Sequence, residues 1–274
     1  RRPLRGMELF RRDSSVPAGA TSYRVVRGSD YGEAKIYGGS NRDVPIVGVG
    51  RRASVRTIKY LVTSYEGNVL DLMATDYAGL GEMARKRKAA QRAIDELLNR
   101  LIWNGDSKAD LWGALTHPDL PRLASGVRFD GTDTPTVVLA FLNRIANFAH
   151  DESGAVFRSN RMAVSHKVRS YLFNTPMFAT GGSDLTIGKY FLQNQEFIKS
   201  IDSAAELSGI GPSGEDGILC YSDDVDSSGF VMPQDYTELP QQAVGFERRT
   251  YAFASFGGVR MDDVGNNVLA YVWV

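Results

Sequence analysis

Most residues whose types and spacing could carry chemistry fall in the second half of the chain. Asp224-Val-Asp226-Ser-Ser228-Gly229, with Val231 and Asp235 beyond, has the spacing of a calcium loop, in which alternate oxygens converge on one cation. Its last position is Asp rather than a bidentate Glu, Pro233 sits inside it, and strand-like runs flank it. The pattern therefore predicts a polar turn. Gly209-Ile-Gly-Pro-Ser-Gly214 matches G-x-G-x-x-G, but a dinucleotide site needs a helix after the glycines, because the pyrophosphate rests on that helix N-terminus. Here Pro212 occupies the loop and a strand-like run at Ile218–Tyr221 follows. Gly182 to Lys189 is one residue too long for a phosphate loop, and Tyr190 stands where Ser or Thr would hold magnesium. His117, His150 and His166 have no i,i+4 pairing and no zinc-type motif around them. There is no Gly-x-Ser-x-Gly elbow, and acidic residues are spread too evenly to select a carboxylate pair. Cys220, within Gly-Ile-Leu-Cys-Tyr, reads as a buried strand thiol and, being alone, excludes an intrachain disulfide. No catalytic, cofactor-binding or metal-ligating residue is assigned, no cofactor is expected, and the chain is not expected to be an enzyme.

The elements around these motifs are better defined than the motifs. Between Gly81 and Gly105 lie 23 residues without Gly or Pro, rich in good helix formers. Met83, Ala90, Ile94, Leu97 and Leu101, widened by Ala93, Leu98 and Ile102, recur at helical spacing, which predicts a helix over 81–104. Such a rod is about 35 Å long. Glu82, Arg85, Lys86, Lys88, Arg92, Asp95, Glu96 and Asn99 fill the opposite face. The run Arg85-Lys-Arg-Lys88 leaves two readings open, a solvated helix face or a contact with nucleic acid.

Thr21–Arg27 and Ala53–Thr63 are β-branched, strand-like runs separated by Gly28, Gly32, Gly38, Gly39, Gly48 and Gly50. They predict a long two-stranded hairpin over 21–66, with Ile58, Tyr60 and Val62 on one apolar face. An isolated hairpin is marginal in water, so it must lie over its own domain or over a neighbouring subunit. Residues 1–20 carry Arg1, Arg2, Arg5, Arg11 and Arg12 without an apolar period, which predicts an arm that orders on a partner. Clustered arginine could also meet phosphate. Asp133 or Thr134 caps a second helix with Pro135 at its first position and the stripe Val138, Phe141, Leu142, Ile145 and Phe148. A strand at 161–165, helices at 166–173 and 186–193, and strands at 197–201, 218–221, 230–232, 244–256 and 268–274 follow. Helices and strands mix without regular alternation, so the class is α+β. A chain of 274 residues, 43% hydrophobic, can bury a sizeable core, and 32 basic against 32 acidic residues leave no global field favouring nucleic acid or membrane. No apolar run approaches the roughly 18 residues of a membrane span, and no signal-peptide pattern is present.

Several segments carry a likeness. Ala18-Gly-Ala-Thr-Ser-Tyr follows the arm, and the long helix ends Asn99-Arg-Leu-Ile-Trp-Asn-Gly-Asp. Leu111-Trp-Gly-Ala-Leu-Thr-His-Pro, Gly217-Ile-Leu-Cys-Tyr-Ser-Asp-Asp, Met232-Pro, Leu239-Pro-Gln-Gln and Glu247-Arg-Arg-Thr-Tyr-Ala-Phe-Ala-Ser-Phe-Gly-Gly-Val-Arg-Met complete it. In this order the chain resembles the major capsid proteins of tailed double-stranded DNA bacteriophages, of the Hong Kong 97 capsid fold, a group related to encapsulin shell proteins. The resemblance implies an N-terminal arm at 1–20, an extended loop at 21–66, a peripheral domain at 67–124 around the spine helix 81–104, and an axial domain at 125–235. Closing strands at 236–274 would return through both domains. It further implies hexamers and pentamers in an icosahedral shell, with packaged double-stranded DNA held non-specifically. Portal, scaffold and decoration proteins are further partners that such a shell admits. A virion location, assembly in the host cytoplasm and no membrane contact complete the expectation.

Some members of that family cross-link subunits through a Lys on the extended loop and an Asn in the peripheral domain. Lys35 is available, but the matching closing stretch reads Phe246-Glu-Arg-Arg-Thr with no Asn, and Asn266 and Asn267 lie later. No isopeptide cross-link is expected. Two alternatives stand beside the capsid reading: an encapsulin-like compartment, and a soluble α+β enzyme.

Overall fold

The computed structural model describes residues 4–31, 48–77, 81–118, 120–124, 126–153, 158–178, 185–211, 214–223, 228–260 and 270–273. The helices are α1 (Arg5–Leu9), α2 (Val69–Tyr77), α3 (Glu82–Asn104), α4 (Pro135–Glu152), α5 (His166–Asn174) and α6 (Ile187–Asn194). The strands of the first half are β1 (Arg11–Asp13), β2 (Ser22–Tyr31), β3 (Gly48–Thr57), β4 (Lys59–Asn68) and β5 (Arg122–Ala124). Those of the second half are β6 (Arg161–Val164), β7 (Ser200–Ser203), β8 (Gly217–Tyr221), β9 (Gly229–Val231), β10 (Thr237–Glu238), β11 (Gln242–Val244), β12 (Glu247–Phe256), β13 (Val259–Arg260) and β14 (Ala270–Trp273).

Two apolar clusters organise these elements. In the first, α3 lays Ile94, Leu98, Leu101 and Ile102 on Leu61 of β4 and Ala254 and Phe256 of β12. β4 and β12 pair antiparallel along their whole length, from Asn68↔Glu247 to Lys59↔Phe256, and β10 and β11 flank the other edge of β12. The second cluster is held by α4, α5 and α6, through Val138, Leu142, Ile145, Leu172, Ile187 and Phe191. Between the clusters runs a sheet in the order β5-β14-β8-β6-β7. Its alternation divides it cleanly. Ala163, Leu219 and Tyr221 face the first cluster, while Met162, Val164, Ile218 and Cys220 face the second. Both faces are covered, so β8 is buried at every position.

Five readings of the sequence are corrected. The segment 5–13 is not an arm waiting for a partner. Leu9 and Phe10 are buried in the first cluster, with Phe10 against Trp103 (5.5 Å) and Tyr221 (5.2 Å), and β1 pairs parallel with β9. Two adjacent apolar residues are too few to show a period, yet they suffice to fill a site prepared by distant aromatics. Asn99 does not lie on a solvated face: α1 packs on α3 from the side away from the sheet, burying Asn99 and Trp103. The hairpin ends at Thr57, where Ile58 donates its N–H to Thr21 O (2.9 Å), and β4 leaves for another sheet. The apolar face of β4 is inverted as well: Leu61 is buried, whereas Tyr60 and Val62 are exposed. Finally, the run 244–256 is two strands, β11 and β12, joined by a turn in which Gly245 has φ +63°.

Candidate interaction surfaces

The β2–β3 hairpin is built from ten antiparallel pairs, Ser22↔Thr57 to Tyr31↔Gly48. Among the described residues these strands pair only with each other. The base of the hairpin is fixed to the body. Tyr23 donates its hydroxyl to the carbonyl of Gly257 (3.0 Å), and a Cβ on Gly257 would stand 2.9 Å from the Tyr23 ring. The Arg56 guanidinium lies 3.2 Å from the centre of the Trp112 ring, which meets His117 edge-on at 4.8 Å. The hairpin is thus anchored at its root.

The second surface is the outward face of the β4–β12 sheet. Val62 is 73% exposed, Tyr60 45%, Leu239 43% and Tyr251 39%. With Phe253, which meets Tyr60 edge-on at 6.1 Å, they line a shallow groove of about 460 Å³. Arg249 closes one end of this face on Glu66 (2.8 Å). Apolar residues this exposed and contiguous mark an interaction site rather than ordinary surface. Among the described residues β4 also has a strand neighbour on one side only, so its other edge offers unpaired main-chain groups.

The third surface is the solvent face of α3. Its basic run divides: Lys86 pairs with Glu82 (2.6 Å) and Arg87 with Glu238 (2.9 Å), while Arg85 and Lys88 make no ion pair among the described residues. Further along, Arg92 pairs with Glu96 (2.6 Å), and Arg100 is exposed and likewise unpaired. Burial without a cation raises the Asp95 carboxyl above its ordinary range.

The N-terminal segment straps these parts together. Asn99 accepts the Gly6 N–H (2.7 Å) and donates to Glu206 Oε1 (2.8 Å). Arg11 reaches Asp223 (3.2 Å), Arg12 pairs with Asp235, and Arg260 reaches Asp13 (3.1 Å). Burial pushes the Asp13 carboxyl upward, but hydrogen bonds from Ser15 and Arg260 outweigh it and hold the group below the usual carboxylate range.

The residues singled out for chemistry are not brought together. His117 is buried beside Trp112, His150 stacks on Phe197 at the end of α4, and His166 opens α5. No group of three His, Cys, Asp or Glu placed to hold a metal occurs among the described residues. Cys220 is fully buried in β8, and burial pushes its thiol far above the usual range. Gly209 donates its N–H to Asp216 Oδ1 (3.0 Å), and that carboxylate also accepts from Ser165 and Ser208, so the glycine pattern belongs to a loop built around Asp216. Lys35, Gly182, Asp224, Asp226, Asn266 and Asn267 lie outside the described residues. On this candidate face Tyr60 and Val62 stand out in the sequence as apolar positions of one strand face, whereas Leu239 and Tyr251, which come from distant segments, do not.

The family model for the major capsid protein matches residues 32–268. The chain belongs to that family. Among solved structures, the capsid of Myoviridae phage XM1 superposes with a TM-score of 0.80 at 11% identity, over 96% of this chain and 89% of that one. The empty gene-transfer-agent (GTA) particle capsid gives 0.63 at 12% identity, covering 100% and 91%. The virus-like particle from Pyrococcus furiosus gives 0.58 at 12%, covering 97% and 90%. No curated protein sequence matches. The fold is the α+β capsid fold of the Hong Kong 97 type, and the capsid chain is a shell-forming structural subunit. No described helix is long and apolar enough to cross a membrane.

Proposed function

We propose that copies of this chain assemble as hexamers and pentamers into an icosahedral shell around double-stranded DNA, with the hairpin of one copy lying over the β4–β12 face of its neighbour. One observation carries the reading: among the described residues, a single chain holds both a hairpin paired only with itself and an exposed apolar sheet face with an open edge. Each is unfavourable alone in water, and each supplies what the other lacks. Burying one Val, Leu or Phe side chain contributes about 1.5–3 kcal/mol, so a partly exposed group of five supplies a useful but individually weak contact, suited to repetition in a shell. In this reading residues 4–20 strap the tile internally, 21–57 reach the neighbour, 58–124 with 236–260 form the peripheral part, 125–235 form the axial part, and 270–273 return to the axial sheet. Assembly takes place in the host cytoplasm, with portal, scaffold or decoration proteins as further partners.

Sedimentation and electron microscopy of the purified chain test this. Closed megadalton particles are expected, and a small oligomer would overturn the reading. Replacing residues 32–47 with a short turn should leave a folded body that no longer closes. Nuclease-protected DNA inside particles separates a genome shell from an encapsulin-like compartment, for which a protein cargo would speak.

A further inference from the structure

The layer formed by α3 and the β4–β12 sheet has two unlike sides. The sheet side is apolar around Val62 and Tyr251, and the helix side is polar and basic. Of the basic residues on α3, Lys86, Arg87 and Arg92 are held by carboxylates within the chain, whereas Arg85, Lys88 and Arg100 are exposed and unpaired among the described residues. Arg85, Lys88 and Arg92 line one groove with Ala89, Gln91 and Asp95, and Arg92 and Arg100 line the next with Glu96 and Asn104. Arg92 is common to both.

At about 1.5 Å rise and 100° per residue, Arg85, Lys88, Arg92 and Arg100 fall within one-third of the helix circumference over about 22 Å. Duplex DNA carries one charge per about 1.7 Å of axis, so several phosphates pass under a stripe of that length. The Arg92–Glu96 pair is a solvated i,i+4 contact of small net worth, so a phosphate can replace the carboxylate at little cost. Asp95, Glu96 and Glu206, which lines the second groove, limit the charge of the stripe, and the four cations Arg85, Lys88, Arg92 and Arg100 leave it net positive. The chain as a whole carries no net charge, so this local excess is not the by-product of a basic protein.

We infer that the face of α3 carrying Arg85, Lys88 and Arg100 is the side of the tile that meets nucleic acid, contacting phosphates without base readout, and that Lys86 and Arg87 take no part. This rests on the shell reading above and adds to it the direction in which the tile faces. The N-terminal segment contributes to the arrangement. It crosses the same third of the circumference at Asn99 and Trp103, so it covers the face beyond Glu96 and leaves Arg85, Lys88 and Arg92 open, with exposed Arg100 at its margin.

The test uses the full-length chain, dissociated from particles, and a labelled 30-base-pair duplex titrated at several salt concentrations. Each phosphate that a variant no longer neutralises reduces the slope of log affinity against log salt by about 0.9. R85Q/K88Q/R100Q should therefore lower the slope by about 2.7. R85Q and R100Q alone should each lower it by about 0.9, and K86Q/R87Q should leave it unchanged. A wild-type slope in the triple variant, or an equal reduction in K86Q/R87Q, overturns the inference. Electron microscopy of each chain before dissociation keeps the two readings apart. Failure of the wild-type chain to form closed particles overturns the shell, whereas closed particles of a triple variant with wild-type duplex affinity overturn only the nucleic-acid face.

Discussion

Replacing Asn99 with Ala tests whether the N-terminal segment is part of the tile or an appendage to it. In the wild-type chain the Asn99 carboxamide is buried and uses both ends, accepting from Gly6 and donating to Glu206. The second carboxylate oxygen of Glu206 is buried without a partner, so the Asn99 amide is a principal donor to that charge. Asn99→Ala leaves the Gly6 N–H unpaired, at about 1–3 kcal/mol, and removes a hydrogen bond to a charged group worth about 1.5–3 kcal/mol. Together these weaken the strap by about 3–5 kcal/mol, with relaxation toward water reducing the figure. Leu9 and Phe10 keep their apolar contacts, so the expected result is local release rather than global unfolding. Hydrogen exchange with mass spectrometry should show peptides covering residues 5–13 exchanging at least a hundredfold faster, since every 1.4 kcal/mol is about tenfold. Peptides from α4 should keep their protection. Asn99→Asp sharpens the test, because its carboxylate accepts from Gly6 but faces Glu206 with like charge. Like-charge repulsion raises the introduced carboxyl above its ordinary value, so the strap of this variant holds at low pH and is lost as pH rises. Unchanged exchange of residues 5–13 in a folded Asn99→Ala chain would refute the reasoning.

Asp13 predicts the opposite pH dependence. Its folded pKa is depressed, so its contribution is present above the ordinary carboxyl value and fades as pH falls through the folded value. Acid titration of Asp13→Asn, followed by tryptophan fluorescence, should lack that component of the wild-type loss. Asp95→Asn should raise the melting temperature at neutral pH and do nothing below the carboxyl range, because the raised pKa makes the charged form the unfavourable one. Gly113→Ala should abolish soluble folded chain, since its Cβ would run into the backbone of Gly105 and Asn104, and Gly105 is itself held at φ +62° as the cap of α3. Particles run on a denaturing gel should give a single monomer band, and a ladder would show that an isopeptide bond forms despite the missing Asn near Phe246.

What the sequence makes legible are the features fixed by local physics. The stripe from Ala90 to Ile102, bounded by Gly81 and Gly105, specifies α3 because no residue between them interrupts the backbone. The ten paired positions of the hairpin are foreshadowed by two β-branched runs separated by glycines. What escapes are the contacts between segments distant in sequence. Asn99 belongs by spacing to the solvated side, and only the arrival of Gly6, 93 residues away, makes it a buried linker. Leu61 and Val62 are equally apolar, so alternation cannot say which one faces α3. Packing against Ile94 and Leu98 decides in favour of Leu61. Ile58 marks the break between two sheets, yet in the sequence it continues the run that begins at Ala53.

The misreading of β4 also identifies the surface that matters. A strand with apolar residues on both faces is ordinary when both faces are covered, as β8 is. In β4 one face is covered by α3, while Tyr60 and Val62 on the other meet solvent. Among the described residues, no second coat for that face comes from the chain itself. Substituting Ser at Tyr60 and Val62 separates folding from assembly, because the inward residues Leu61, Thr63 and Tyr65 are untouched. The monomer fold should survive with its stability within about 0.5 kcal/mol, as expected for exposed positions. Particle yield by sedimentation should collapse, because each subunit repeats the defect at every copy of the contact. Loss of the monomer fold would mean that the face is covered from within the chain, and undiminished particles would mean that the shell is held together elsewhere.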